Sequence, residues 1–365
     1  MKFSVSTKPL KKAVDLTVIP KNVTTTFQRS SLLQISATDK ELKLNTESDS
    51  IQSEVILYGT GTGEPITICT DCIKFKSLIS TISAPQIDLD ITESAITLHA
   101  NKSTFTIPLE ANSVGRLAEP YHITKEELTQ GIDVDNDCWS FIKDHQMFAV
   151  PKDTTLPVCR YIYLGEDGNS LTGNVDYSLF TLAPYSQFSS TSLVTNTIIN
   201  LMTNLPETAK MIHHIDSYVI GAFVDSYEYR VQLTPKVESD DVGYYNADMI
   251  MEIMNQDNGG IKLSAKAIIT ALQQSNLLAD ANTPISLICE SDKVHLKDKR
   301  IDSVIDAEIS GEPFEVILVP EFFKSALTNV PDDDITIKPV FTEDELSGVV
   351  IESGVMSVLL GKYEG

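Results

Sequence analysis

Residues 1–16 read MKFSVSTKPLKKAVDL, and within them the spacing of apolar side chains changes from that of a strand to that of a helix. Residues 2–6 alternate, whereas Leu10, Ala13 and Val14 follow the spacing of one helix face. At about 100° per residue, the lysines of this segment lie roughly opposite that apolar face. They are Lys8, Lys11 and Lys12. The stretch therefore predicts a strand followed by an amphipathic helix with cations on its outer face.

The same order of strand, helix and further strands recurs along the chain. Helices are predicted to start near residues 8, 71, 137, 193, 264 and 321, each followed by strand-like segments. Starts that recur every 56 to 71 residues indicate an internally repeated architecture. Taken two to a domain, the six units predict an α+β protein with helices on one side of its sheets. The predicted domains are 1–119, 120–240 and 241–365.

Composition limits the classes of function that the chain can have. It has 28 Lys and Arg against 51 Asp and Glu, a formal net charge of −23. That charge argues against a protein that coats nucleic acid with its outer surface, but it allows a basic strip inside a cavity. No apolar run is long enough to span a membrane, and the N-terminus has no signal region. Five scattered cysteines favour a reducing cytosol, so we expect a cytoplasmic protein.

Two short motifs suggest metal or redox chemistry, and neither is complete. Cys69 and Cys72 form a CxxC, but no second ligand pair has the spacing of a zinc site, which favours buried structural cysteines. Asp133, Asp135 and Asp137 have the first spacings of a calcium loop, but its sixth position is cysteine where glycine is needed. No histidine lies near a recognisable nucleophile signature. The sequence therefore predicts no catalytic residue, metal or cofactor.

The order of these segments resembles the bacterial DNA polymerase III beta subunit, the sliding clamp, along nearly the whole chain. The resemblance rests on many weak matches in order, because clamps have no catalytic signature. The matching segments are MKFSVSTKPLKKAV (1–14), SSLLQISATDKELKLNTESDSIQSEV (30–55), YIYLGEDGNSLTGNVDYSLFTLA (161–183), GGIKLSAKAIITALQQSNLLADANTPISLICESDKVHLK (259–297) and GVMSVLLGKYEG (354–365).

The departures from the family pattern indicate a divergent member, of the kind that a phage could encode. Where the family usually has TDGHRLA, this chain keeps Asp176 but replaces His-Arg-Leu by residues 178–180, Ser-Leu-Phe. The usual basic residues of the fourth helix are replaced by Thr195, Asn196 and Thr203. The tail also runs beyond its apolar residues into 362–365, Lys-Tyr-Glu-Gly. The partner sites are therefore expected to differ from those of the family.

The resemblance implies a three-domain DNA clamp in which two chains join head to tail. Helices would line the lumen of the ring, and sheets would form its outer wall. Such a homodimer is a non-enzymatic processivity factor that encircles double-stranded DNA without reading its sequence. Its partners would be the replicative DNA polymerase and the clamp loader, in the cytoplasm of a bacterial or phage-infected cell. The expected DNA-facing cations are Lys8, Lys11, Lys12, Lys21, Lys74, Lys76, Lys143, Lys266 and Lys324.

The resemblance also implies two protein-binding sites. Partners of the family dock an apolar peptide between the second and third domains, and two apolar pairs form the dimer junction. The junction positions are Phe105 and Ile107 on a first-domain edge strand, and Leu277 and Leu278 after the first helix of the third domain. The pocket positions are Val175, Tyr177, Ser178, Leu179, Phe180, Met249, Ile253, Val358, Leu359 and Leu360.

Two other classes of protein compete with the clamp. One is a non-enzymatic β-rich structural protein, such as a virion component, that does not contact DNA. The other is a hydrolase with an acidic site. The recurrence of lysine on or beside five of the six predicted helices favours the clamp over the first class. The second class is disfavoured because the sequence shows no ligand constellation.

Overall fold

The structure is a computed structural model of the 365-residue chain. The described residues divide into two compact units, Met1–Asn136 with Thr197–Ser239, and Asp137–Asn196 with Asp240–Gly365. The structure describes residues 1–17, 32–47, 51–109, 117, 123–133, 136–151, 159, 161–165, 168–174, 178–184, 192–195, 198–200, 203, 205, 209–213, 220–225, 229–235, 247–276, 283–290, 292–299 and 301–363.

Five of the six predicted helices are confirmed within two residues of their expected starts. The helix predicted to start near residue 193 is wrong in part. Ser192–Thr195 is a strand, and only residues 198–200 of that segment are described as helical. None of the helices in the described part of the chain is long and apolar enough to cross a membrane. The helices are α1 Thr7–Leu16, α2 Cys72–Thr81, α3 Lys125–Gln130, α4 Asn136–Phe141, α5 Ala247–Met254, α6 Ala265–Asn276 and α7 Pro320–Asn329.

All strand pairs are antiparallel, which confirms the expected α+β class. The strands are β1 Lys2–Ser6, β2 Leu32–Ala37, β3 Glu41–Glu47, β4 Ile51–Tyr58, β5 Thr60–Thr62, β6 Ile66–Asp71, β7 Gln86–Ile91, β8 Ala95–Ala100, β9 Ser103–Pro108, β10 Ile132–Asp133, β11 Tyr161–Leu164, β12 Asn169–Asn174, β13 Leu179–Pro184, β14 Ser192–Thr195, β15 Lys210–His213, β16 Ile220–Asp225, β17 Tyr229–Pro235, β18 Gly260–Ser264, β19 Ile285–Glu290, β20 Lys293–Lys297, β21 Asp302–Asp306, β22 Glu308–Ser310, β23 Phe314–Leu318, β24 Asp334–Thr342, β25 Glu345–Ser353 and β26 Met356–Gly361.

The first unit contains a five-stranded and an eight-stranded sheet. Their strand orders are β5-β1-β7-β8-β9 and β10-β15-β16-β17-β4-β3-β2-β6. The second sheet pairs β4 with β17, so it continues from the predicted first domain into the predicted middle domain. In the second unit β13 pairs with β26, so the nine-stranded sheet continues from the predicted middle domain into the predicted third domain. The boundaries near 119 and 240 stay a prediction, because a sheet continues across each of them.

Helix α1 follows β1 without a loop and packs on β4, β17 and α2. Its apolar face is confirmed, since Leu10, Ala13 and Val14 are buried. The helix ends at Leu16, and the hydroxyl of the next residue, Thr17, donates to the carbonyl of Val14 at 2.6 Å. Burial of this face fixes the direction in which the lysines point.

Helix α2 begins after Asp71, whose Oδ1 accepts from the backbone N–H of Lys74 at 2.9 Å. An aspartate at this position satisfies one of the four amides that have no partner within the helix. The apolar residues Phe75 and Ile79 are fully buried. The outer face of α2 is therefore fixed in the same way as that of α1.

The glycine-rich segment 59–64 contains the edge strand β5. A Cβ added at Gly61 would lie 2.1 Å from the carbonyl oxygen of Thr38, so only glycine fits this close approach. At Gly59 the added atom would lie 2.6 Å from the carbonyl oxygen of Ser4. The glycines thus allow close packing of backbone against backbone.

The second unit contains a nine-stranded and a four-stranded sheet. Their orders are β14-β11-β12-β13-β26-β25-β24-β18-β22 and β21-β20-β19-β23. One large core includes Ile268 and Leu272 of α6 and Phe323 of α7. Asp333 holds the start of α6: its Oδ1 accepts from the backbone N–H of Lys266 at 2.8 Å, and its Oδ2 accepts from the Ser264 hydroxyl at 3.0 Å. These bonds lower the pKa of the Asp333 carboxyl.

Truncation of Leu10 should test whether the α1 packing stabilises the first unit. Leu10 is fully buried, so Leu10→Ala should lower the free energy of unfolding by about 2–5 kcal/mol. Lys8→Ala on the exposed face of α1 is the matched control and should change it by less than about 0.5 kcal/mol. Urea denaturation followed by circular dichroism measures both, and equal effects would contradict this packing.

Candidate nucleic-acid and partner interfaces

The expected DNA-facing lysines lie unevenly among the described helices. Helices α1 and α2 of the first unit carry five of them, and the second unit carries three. Lys8 and Lys74 are exposed, whereas Lys11, Lys12 and Lys76 are half-buried. Lys21 lies outside the described residues. The largest group of candidate cations therefore belongs to two helices that pack against each other.

Hydrogen bonds and an ion pair join the outer faces of α1 and α2. Lys11 Nζ donates to the carbonyl oxygen of Ser80 at 2.9 Å. Lys76 Nζ lies 3.7 Å from Asp15 Oδ1. Because residues 11 and 15 of one helix meet residues 80 and 76 of the other, the two helices run antiparallel with their lysine faces adjoining. We call the resulting surface of Lys8, Lys11, Lys12, Lys74 and Lys76 the α1–α2 lysine patch.

The lysines of the second unit lie next to carboxylates. Lys266 Nζ, on an 81% exposed side chain, lies 3.8 Å from Asp333 Oδ2. Lys324 shares α7 with Glu321, and Lys143 is followed directly by Asp144. The helices of this unit therefore present much less net positive charge than α1 and α2.

The strand register divides the predicted pocket residues between two faces of the nine-stranded sheet. Strand β13 pairs with β26, placing Leu179 opposite Leu360 and Phe180 opposite Leu359. Successive residues of a strand point to opposite faces. Leu179, Leu360 and Val358 accordingly belong to the core beneath α6 and α7.

The other face of the same strands packs against α5. Phe180 and Leu359 form a cluster with Ala247, Ile250 and Met254 of that helix. Ile253 lies at the edge of this cluster, and the Met249 side chain of the same helix is 50% exposed. These residues form a candidate docking surface within the second unit, which we call the α5 surface.

Two features border the α5 surface. Ser178 is exposed with φ at +46°, and its carbonyl accepts from the backbone N–H of Gly361 at 3.0 Å. The next residues of the tail are also bound: the N–H of Lys362 donates to Ser347 O, and that of Tyr363 to Ile317 O, each at 2.8 Å. Val175 and Tyr177 lie outside the described residues. The described part of the tail is therefore held along the second unit.

The junction residues Phe105 and Ile107 lie on β9, which is an edge strand of the five-stranded sheet. Phe105 is half-buried and Ile107 is 8% exposed. Leu277 and Leu278 lie outside the described residues. The four-stranded sheet of the second unit ends in β21 and β23, and Val304 of β21 is 52% exposed.

The cysteines of the CxxC are buried, and neither forms a disulfide bond. Burial raises the pKa of the Cys69 and Cys72 thiols and raises that of Cys289 to about 12. A raised pKa keeps the thiol protonated at neutral pH, and a protonated thiol is a poor nucleophile and metal ligand. Within the described residues no group of acidic, histidine or cysteine side chains could hold a metal ion.

Sequence reasoning missed α5 as a helix and β21 as an exposed edge. The signal for α5 was the spacing of Ala247, Ile250 and Met254, which follows one helix face. The signal for β21 was weaker, because Val304 between polar neighbours is typical of many strands.

Comparison of the whole chain with solved structures identifies the fold. Three similar structures are DNA polymerase III beta subunits or sliding clamps. That of Eubacterium rectale has a TM-score of 0.78 at 13% identity and covers 100% of both chains. That of Thermotoga maritima also has a TM-score of 0.78, at 10% identity, covering 100% of this chain and 99% of the other. The Caulobacter crescentus clamp has a TM-score of 0.76 at 14% identity, again over 100% of both chains.

The chain has the sliding-clamp fold. No family model matches the sequence, and no curated protein matches it. The sequence has therefore diverged far from that of the clamps, while the clamp fold extends over the full chain.

Proposed function

We propose that the chain is a DNA sliding clamp, a ring-shaped processivity factor that encircles double-stranded DNA and tethers the replicative polymerase. The observation that carries the proposal is the clamp fold over 100% of the chain. The α1–α2 lysine patch supports it, because cations gathered on one helix pair of a chain with net charge −23 suit a partner with a regular array of phosphates. A clamp of this kind acts without catalysis or a cofactor, in the cytoplasm of a bacterial or phage-infected cell.

Retention by a ring depends on topology more than on tight binding. Lysines that contact the phosphates hold the duplex without reading its bases, so the protein can move along it. The acidic remainder of the chain disfavours binding of DNA to other surfaces. A structural virion protein that does not contact DNA explains neither the lysine patch nor the full-length clamp fold.

Retention on DNA of different topology tests encirclement. Protein loaded on nicked circular plasmid should remain bound through gel filtration and should be lost once a restriction enzyme linearises the plasmid. Blocking both ends of the linear DNA with biotin and streptavidin should restore retention. Release from circular DNA as fast as from open-ended linear DNA would contradict the proposal.

We further propose that two chains join head to tail through the edges of β9 and β21. An unpaired strand edge is an exposed template for pairing with another chain. Strand β23 forms the other edge of the four-stranded sheet. That edge is hydrogen-bonded to the tail, since Ile317 O accepts from Tyr363 N at 2.8 Å. Pairing β9 of one chain with β21 of another would join the sheets of five and four strands, and two identical junctions close a ring.

Charges at the ends of the two strands suit an antiparallel junction. Exposed Lys102 directly precedes β9. Exposed Glu93 lies near the other end of β9, because the backbone N–H of Leu109 donates to the carbonyl of Ser94 in the β7–β8 turn at 2.9 Å. Exposed Lys297 and Lys299 precede β21, whereas its far end is acidic. That end carries Glu290, Asp292 and Asp306, with Lys293 opposite Asp306, while at the other end Asp302 lies opposite Lys297. An antiparallel pair would place Lys102 beside the more acidic end of β21, and complementary charges of this kind fix orientation.

Substituting aspartate for apolar residues at the junction should convert the dimer to monomers. Each large aliphatic side chain buried at a junction contributes about 1.5–3 kcal/mol, so Leu277→Asp with Leu278→Asp should abolish the dimer. Ile317→Asp on the opposite edge of the same sheet is the control and should leave it intact, because that edge faces the chain's own tail. Analytical ultracentrifugation should give twice the 40.2 kDa chain mass for the wild type, and a wild-type monomer at micromolar concentration would refute this assembly.

We propose that the α5 surface binds an apolar peptide of the polymerase, and that the clamp loader uses the same surface. Met249 is exposed on α5, the helix whose other face packs on Phe180 and Leu359, and it offers the large apolar contact on which peptide affinity usually depends. Leu179, Val358 and Leu360 would support the surface from the opposite face of the sheet without contacting the peptide.

Truncation of an exposed α5 residue tests this surface without disturbing the core. Met249→Ala should weaken binding of an apolar peptide from the cognate polymerase at least about tenfold, because an anchor contributes upward of about 1.4 kcal/mol. Val355→Ala is the control, since Val355 is 62% exposed in the β25–β26 turn at the far end of β26. Isothermal titration calorimetry measures both, and an unchanged affinity for Met249→Ala would exclude this surface.

A further inference from the structure

Helices α1 and α2 of the first unit differ sharply in charge from the helices of the second unit. Helices α1 and α2 carry five lysines and one aspartate, with Asp71 as the cap of α2. In the second unit α6 carries one lysine, and α7 carries one lysine and one glutamate. The segment from Asp137 to Ala149 carries one lysine and two aspartates.

We propose that the α1–α2 lysine patch carries most of the electrostatic contact with DNA, and that the helices of the second unit contribute little. The proposal rests on the proposed clamp function and locates its DNA contact. It departs from the sequence-based expectation, in which lysines on helices of all three domains share that contact.

The excess of lysine over nearby carboxylates is the physical reason for the difference. Asp15 and Asp71 lie near two of the five lysines of the patch, whereas each of the three lysines of the second unit has a carboxylate close to it in space or in sequence. Lys266 Nζ lies 3.8 Å from Asp333 Oδ2, and that carboxylate also accepts from the Lys266 backbone. Glu321 and Lys324 lie three residues apart on α7, which makes them neighbours on the helix surface. These helices therefore offer a phosphate little net positive charge, while the patch keeps an excess of lysine over carboxylate.

The geometry of the patch separates two roles among its lysines. Lys11 and Lys76 bind Ser80 and Asp15 across the helix pair and so hold the two faces side by side. Lys8 is exposed, and the Lys74 side chain is 67% exposed at 3.9 Å from Asp71. An exposed ion pair at this distance is weak, so Lys74 can turn to a phosphate at little cost. Lys8 and Lys74 are therefore the foremost contact residues, and Lys11 and Lys76 are positioning residues.

Two triple variants of equal charge test the proposal. The first is Lys8→Gln, Lys12→Gln and Lys74→Gln, which leaves both positioning lysines in place. The matched control is Lys143→Gln, Lys266→Gln and Lys324→Gln in the second unit. Fluorescence anisotropy on a labelled linear duplex gives the slope of log K against log salt for each protein between 50 and 200 mM salt.

The first variant should lose about two to three units of that slope, because each lost phosphate contact removes about one unit. The loss of affinity between 50 and 200 mM salt should accordingly be at least about tenfold smaller for this variant than for the wild type. The control variant should lose less than about one unit. Unchanged melting temperatures by circular dichroism establish that both variants are folded.

Equal loss of slope in both variants would overturn the proposal, as would a larger loss in the control. An unchanged slope in both would overturn it as well. Retention of the same variants on nicked circular and linear DNA keeps this result separate from the clamp function. If retention still depends on topology while the slopes fall equally, encirclement stands and only the location of the contact is wrong.

Discussion

The burial of one helix face against a sheet determines where the charges of this protein point. Leu10, Ala13 and Val14 of α1 are buried beside β4, β17 and α2, so the residues opposite them must face outward. The buried Phe75 and Ile79 do the same for α2. A polar ligand can be bound without any loop or cofactor when a packed helix pair presents lysines in this way. The proposed function follows from that constraint, because a clamp needs a surface that attracts phosphates and has no chemistry of its own.

The two units present surfaces of different chemistry on similar arrangements of helices and sheets. In the first unit the outer helix faces carry an excess of lysine. In the second unit the comparable lysines lie next to carboxylates, and the sheet supports a half-buried apolar surface at α5. A duplex and an apolar peptide require opposite surface chemistries. In the proposed function, separating them between units would let the protein bind both without burying a charge in the peptide site, where an unpaired charge would be costly.

The helices that the sequence predicts well are those whose ends and faces are set locally. Asp71 caps α2, Pro320 starts α7, and the apolar spacing of α1 matches its buried face. The segment 192–205 was predicted poorly, because its β-branched residues suit either structure and pairing of β14 with β11 decides for a strand. Local spacing cannot determine such long-range pairing.

The candidate sites also contain some features that the local sequence determines and others that depend on long-range packing. The outward direction of Lys8 follows from the sequence, whereas the contact of Lys11 with Ser80 depends on the packing of α1 on α2. In the pocket, the runs around Leu179 and Leu360 are apolar on both faces of their strands, so the sequence cannot assign a face to either residue. The register of β13 and β26 makes that assignment, and it places Leu360 in the core and Leu359 at the α5 surface.

Electron microscopy of the purified protein tests the central claim most directly. Class averages of single particles should show a closed ring with a central hole wide enough for duplex DNA, with two-fold symmetry when viewed along the hole. Each particle should contain two chains. Particles without a hole, at concentrations where the protein is folded, would contradict the assignment of this chain as a clamp that encircles DNA.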